Sequence, residues 1–152
     1  MSERHIHEGN LYVVGFAFDT VDRGRVLLIR TNRPTWQAGR LNGVGGHIER
    51  TDEHPHAAMQ REFLEEAGLD VANWREFAQL EGDDFRVHVF RVTLDSFEGV
   101  AAQTDEPLVV VPLPILGCQP VISNLLWLIP LAMDAGTPGA PDNGPQFAKV
   151  RY

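Results

Sequence analysis

Apolar residues along this chain follow two rhythms, with several short β-branched or aromatic stretches and two longer runs that repeat near every 3.6 positions. Residues 11–18 predict a strand, Asp22-Arg23-Gly24 supplies a turn, and residues 25–30 predict a second strand, so the pair reads as a hairpin. A short strand over 44–48 carries Gly45 and Gly46, whose missing side chains permit close backbone approach. Strands are also predicted over 74–80 and 85–94, joined by a turn at 81–84. The second of these alternates most clearly, with Phe85, Val87 and Val89 on one face. Residues 108–111 add a last short strand, closed by Pro112 and Pro114.

The first helical run spans residues 54–67. Pro55 suits its first turn and Gly68 its C-terminus, while Ala57, Phe63, Leu64 and Ala67 offer an apolar side to bury. The second spans 121–133, with Leu125, Leu128, Ile129 and Ala132 in register and Pro130 as a potential kink. Between the strands, residues 31–43 form a long irregular loop, and such loops in small domains often carry function. Trp36 within it fits two roles, a platform for stacking a base or an anchor packed on the core. The expected organisation is a flexible N-terminus (1–10), one domain (11–134) and a Gly/Pro-rich tail (135–152). Residues 147–152 are open to three outcomes: an edge strand, a dimer contact or a disordered tail.

Composition narrows the partners. The 152 residues, 43% hydrophobic and 22% charged, suit one globular domain with a real core. A formal net charge of −8 argues against a nucleic-acid polymer as partner, because backbone binding needs a basic face. It leaves room for a small anionic substrate, since a bound cation reverses the local sign of an acidic pocket. Arg25, Arg30, Arg33 and Arg40 are candidates to meet phosphates. No apolar run has membrane-spanning length, the first residues lack a signal-peptide pattern, and Cys118 is the single cysteine. Together these point to a cytoplasmic protein with no membrane partner, and both a monomer and a homodimer stay open.

The candidate chemistry lies in residues 45–69. At a helical repeat, Glu62, Glu65 and Glu66 stand at i, i+3 and i+4, so three like charges crowd one face. Their mutual repulsion is relieved by a hard divalent cation, and oxygen ligands at this spacing suit Mg²⁺ or Mn²⁺. Arg61 reads as an orienting partner for a carboxylate. The histidines at 5, 7, 47, 54 and 56 read as surface residues, because structural-zinc Cys/His spacing is absent.

This segment resembles the Nudix box, G-x5-E-x7-R-E-U-x-E-E-x-G-U with U an aliphatic or bulky apolar residue. From Glu53 the pattern is complete: seven residues, then Arg61-Glu62-Phe63-Leu64-Glu65-Glu66-Ala67-Gly68-Leu69. Upstream, six residues rather than five separate Gly46 from Glu53, and Asp52 stands where glycine is usual. This reads as a one-residue insertion in the loop 49–52, and it leaves the part played by Glu53 open. The resemblance implies an α/β (α+β) fold, a mixed sheet sandwiched between helices, through about residue 133. It also implies Mg²⁺-dependent hydrolysis of a diphosphate linkage, with Glu62, Glu65, Glu66 and the Gly45 carbonyl as metal ligands. Arg61 would hold a glutamate in place. Glu62, or Asp105 or Glu106 before the last strand, would take the proton from water.

The run from Gly39 through Arg40 and Asn42 to Gly46 is similar to G-R-W-N-G-F-G-G of the animal MutT-homologue triphosphatases, which act on oxidised purine nucleotides. That likeness implies Asn42 as a base reader, and an amide that both donates and accepts suits a purine edge. In the late helix, Asn124 falls near a position where that branch carries acidic residues, and as an asparagine it equally suits an N-cap. The implied activity converts a nucleoside triphosphate, such as 8-oxo-dGTP, to the monophosphate and pyrophosphate. Two alternatives stand beside it: a pyrophosphatase for ADP-ribose or a nucleotide sugar, and a non-catalytic nucleotide sensor. No proline lies between Pro55 and Pro107, where ADP-ribose members usually carry one.

Overall fold

A computed structural model of the chain describes residues 10–140, 142 and 144–151. His5, His7 and most of the expected flexible N-terminus lie outside them. The strands are β1 (Leu11–Asp19), β2 (Arg25–Arg30), β3 (Leu41–Asn42), β4 (Val44–His47), β5 (Arg75–Glu81), β6 (Arg86–Thr93), β7 (Leu108–Pro112) and β8 (Gln146–Lys149). The helices are α1 (Pro55–Ala67) and α2 (Leu125–Ala135). The strands form one mixed sheet in the order β3-β2-β1-β6-β5-β8, with β4 also on β1 and β7 on β2.

Strand β1 is the hub. Along one edge it runs parallel to β6, with Val14 opposite Val89 and Phe16 opposite Arg91. Its other edge is shared: Tyr12 to Gly15 pair with β4, and Ala17 to Asp19 pair with β2. The hairpin forms as its sequence predicts, and its turn is closed by Arg25, which forks onto the buried Asp19 carboxylate. Arg25, one of the candidate phosphate contacts, is therefore committed to the hairpin.

Period-two alternation sends β1 side chains to opposite layers. Phe16 and Phe18 join Leu28, Val89 and the α2 residues Leu125, Leu128, Ile129 and Ala132 on one face. Val13 and Ala17 join Ile29, Phe90, Val92 and the α1 residues Ala58, Met59, Phe63 and Ala67 on the other. The sheet is thus sandwiched between helices, the architecture that the box implies.

Helix α1 keeps its expected ends. The His54 ring accepts the Ala57 N–H at the N-cap, Pro55 follows, and Gly68 closes the helix in the left-handed region at φ 74°. Its buried side differs from the expectation, because Leu64 is exposed and Met59 and Ala58 take the core positions. Helix α2 starts at Leu125 rather than at 121. The Leu41 N–H donates to the Pro120 carbonyl and the Ile122 N–H to the Leu41 carbonyl, so residues 120–122 extend the sheet edge instead. β-Branched Val121 and Ile122 favour that extended form. The tail supplies β8, parallel to β5, from Ala78 opposite Gln146 to Glu81 opposite Lys149.

Phe63 meets Trp74 edge-to-face at 5.0 Å beneath α1. Phe63→Ala is expected to lower stability by about 3–5 kcal/mol in urea unfolding. A loss under about 1 kcal/mol would mean that the α1 layer collapses to fill the space.

Candidate active site

Strand β4 brings two glycines under α1. A Cβ on Gly45 would lie 1.9 Å from the Val13 carbonyl oxygen of β1. A Cβ on Gly46 would lie 2.6–2.8 Å from the carboxylate atoms of Glu62. Glycine at 46 is what lets this carboxylate, only 8% exposed, lie against backbone. Burial pushes the Glu62 carboxyl up; Arg61 opposes that rise, and Glu65 and Glu66 add to it.

Arg61 is the centre of the cluster. Its Nη1 donates to Glu62 Oε1 at 3.0 Å and to Glu65 Oε2 at 3.2 Å. Its Nε and Nη2 fork onto Asp52 at 2.9 and 2.8 Å, and Nη2 also donates to the His47 carbonyl at 3.1 Å. The bidentate fork explains why Asp52 is held below the usual carboxylate range and Arg61 above its own. Asp52 is fixed from the other side as well. Its Oδ2 accepts the Glu49 N–H at 2.8 Å, and its own N–H returns to the Glu49 carbonyl at 3.0 Å. Glu53 is exposed at the approach to α1.

The distal acids reach the same helix through its C-terminus. The Ala101 and Gln103 N–H groups donate to the Ala67 and Glu66 carbonyls, which α1 leaves open. That docking brings the Thr104 hydroxyl onto Glu66 Oε2 at 3.1 Å. Burial pushes the Glu66 carboxyl up; the Thr104 bond opposes it, while Glu106, Glu65 and Asp105 raise it further. Glu106 Oε2 in turn accepts the Asn32 N–H at 2.6 Å, tying the acid loop to the loop after β2.

The specificity candidates sit elsewhere. Asn42 ends β3 at the sheet edge, and its Oδ1 accepts the Gly43 N–H at 2.8 Å. Leu41 lies opposite Val121, so the start of α2 with Asn124 belongs to that same edge. Asn124 occupies the N-cap position of α2 without a side-chain cap bond, so the capping role is not taken up. Trp36 lies in a short 3-10 turn and is 48% exposed, outside the core. Arg40 is exposed, and its carbonyl closes the loop onto Thr31. Two surface hollows, of about 120 and 330 Å³, have none of the α1 carboxylates in their lining.

Asp52 stood out in the sequence only as a departure from the box, an acid in the usual glycine position beside a one-residue insertion, and Thr104 and the Asn32 N–H were not among the candidate site residues. The other two depend on loop docking that no local spacing reveals.

Three carboxylates on one helix face, one of them nearly buried against a glycine backbone, form a hard-oxygen donor set that fits a divalent cation. Among the described residues no three acidic, histidine or cysteine side chains already converge as a metal group. Glu62 and Glu65 instead contact the Arg61 guanidinium.

The NUDIX domain model matches residues 11–112 of the chain. Among proteins of curated function, no sequence matches it. The NUDIX domain of Shewanella oneidensis NrtR, solved with ADP ribose, superposes at TM-score 0.74 and 18% identity, over 84% of this chain and 88% of that one. A NUDIX family hydrolase from Clostridium perfringens does so at 0.67 and 23%, over 84% and 97%. A MutT protein from Bacillus halodurans follows at 0.63 and 18%, over 79% of each. At such identities the structural likeness shows the fold alone. The matched span makes this protein a Nudix hydrolase, a class that acts on phosphoric anhydride bonds. The chain belongs to the NUDIX domain family. No helix among its described residues is long and apolar enough to cross a membrane.

The raised Glu66 carboxyl has a consequence for stability. The folded chain holds this proton more tightly than the unfolded chain, so ionising it costs stability as pH rises through the carboxylate range. Glu66→Gln is expected to stabilise the metal-free protein at neutral pH by on the order of 0.5 kcal/mol. In urea titrations the gain should fade as pH falls through the raised folded pKa and be gone below pH about 4.3, where the unfolded carboxyl is itself protonated. A net loss at neutral pH would show that the Thr104 bond outweighs the repulsion.

Proposed function

We propose that this Nudix hydrolase cleaves a nucleoside triphosphate to the monophosphate and pyrophosphate in the cytoplasm, with Mg²⁺ or Mn²⁺ bound at α1. The observation that supports it is the carboxylate face of α1, with Glu62 wedged against Gly46 and the 101–106 loop docked at its end. Glu62, Glu65, Glu66 and the Gly45 carbonyl would hold the ion. When bound, it supplies a water of lowered pKa and offsets charge on the phosphoryl oxygens. Arg61 holds Glu62 and Glu65 in place. Glu106, oriented by the Asn32 N–H, accepts the proton as the water oxygen bonds to phosphorus and the bridging oxygen departs. Asp105 and Glu62 are the other acids in reach of that role.

For substrate choice, the Gly43 N–H occupies Asn42 Oδ1, which leaves the amide NH₂ to donate. A free donor suits the O6 acceptor that a guanine-type base keeps whether canonical or oxidised at C8. Trp36 offers an exposed ring for stacking, and Arg40 and Asn124 complete the substrate-binding set we assign. A second reading, ADP-ribose or a nucleotide sugar, draws on the NrtR domain solved with ADP ribose.

A hydrolysis screen with Mg²⁺ across ordinary and oxidised nucleotides, ADP-ribose and nucleotide sugars separates these readings. Triphosphates should rank first; preference for ADP-ribose would transfer the function to the second reading, and binding without turnover would make the protein a sensor. Glu65→Gln should cut kcat by more than the roughly 10- to 100-fold that loss of an outer partner of a metal ligand costs. Unchanged turnover would remove Glu65 from the metal set. Asn42→Asp should lower kcat/KM for guanine nucleotides by about 10-fold or more, since a good base contact is worth about 1–3 kcal/mol. An equal loss for pyrimidine nucleotides would remove Asn42 from base reading.

A further inference from the structure

The inserted turn before α1 is the place where this chain departs from the family pattern, and it is also where the Arg61 fork ends. Arg61 has three obligations. It must balance Glu62, which is nearly buried, hold Glu65, which is on the exposed side, and keep its own stem in one rotamer. A guanidinium is a planar fork, so two parallel bonds to one carboxylate fix its plane as well as its position. Asp52 supplies both bonds, and its side chain is 6% exposed. The carboxylate is itself anchored by the Glu49 N–H, and the turn is closed by Asp52 N–H to the Glu49 carbonyl. With the plane set, Nη1 alone faces α1, where it meets Glu62 and Glu65. The neighbouring acid, Glu53, points to solvent.

We propose that Asp52 is the positioning residue of this site: it clamps Arg61, and through Arg61 it sets the separation of Glu62 and Glu65, a duty that Glu53 does not perform. The inference rests on the assignment of these glutamates as cation ligands. The inserted residue lengthens the turn, and the aspartate that stands where glycine is usual becomes the anchor. Asp52 stands outside the assigned ligand set and acts through Arg61.

Asp52→Asn is nearly isosteric and keeps the turn bonds while weakening the fork. It should weaken Mn²⁺ binding, followed by electron paramagnetic resonance, by about 10- to 100-fold, the usual effect of losing an outer partner of a metal ligand. Glu53→Gln should have the smaller effect. Arg61→Lys, which retains the charge and loses the fork, should match Asp52→Asn, and the double variant should lose little more than either single one. A change in melting temperature with unchanged Mn²⁺ affinity would make Asp52 a purely structural residue and overturn the proposal. So would a larger effect from Glu53→Gln. The Arg61 Nε–H signal in NMR gives a readout that needs neither metal nor turnover. It should exchange slowly with water in the native chain and rapidly in Asp52→Asn; equal exchange in both overturns the clamp. If the native chain binds no Mn²⁺ and hydrolyses no nucleotide, the functional assignment fails by itself, and the exchange measurement still decides whether Asp52 holds Arg61.

Discussion

Like charges held close together on one helix face are the constraint to which the rest of this structure answers. Glu62, Glu65 and Glu66 repel one another, and Glu62 is nearly removed from water, where a lone carboxylate is costly. The fold meets this with a guanidinium at the centre and an anchored aspartate behind it. Every nearby feature follows. Position 46 has no room for a side chain beside the Glu62 carboxylate, and position 45 must pass over the β1 backbone. The turn before α1 must fold back far enough to present Asp52, and the His47 carbonyl must face the guanidinium.

The sheet allows this crowding because β1 serves two masters along one edge. Its first half carries β4 and, through it, the glycines beneath α1; its second half carries the hairpin partner β2. Where these two neighbours part, β4 leads to the α1 carboxylates and β2 to the β3 edge with Asn42. Residues that face the metal-ligand candidates and residues that face the base candidates therefore belong to different strands. The two helices bury against opposite layers, so each layer is stabilised without borrowing side chains from the other.

Much of this was legible in the chain because it is local. Pro55 and Gly68 bracket α1, and the spacing of three glutamates gives their shared face at once. The exposed Leu64 shows the limit of such reading. A helical stripe of apolar residues does not say where its edge falls, and α1 turned Met59 and Ala58 inward instead. Residues 121–122 look helical by apolarity alone, yet the edge of β3 offered them backbone bonds that a helix start could not match. Asp52 escaped because its partner lies nine residues on, across a turn, at no helical or strand period. Thr104 and Asn32 escaped because their contacts span long stretches of chain, which no pattern in one sequence encodes.

The bond between the Asn32 N–H and Glu106 joins two loops that are 74 residues apart in the chain. One leads to Trp36 and the sheet edge with Asn42; the other is moored to the C-terminus of α1 and carries the distal acids. At 2.6 Å this tether has almost no slack. A shift of the loop after β2 by even an ångström stretches it beyond hydrogen-bonding length and frees the acid to rotate. The position of the loop after β2 and the aim of the Glu106 carboxylate are thus mechanically one event.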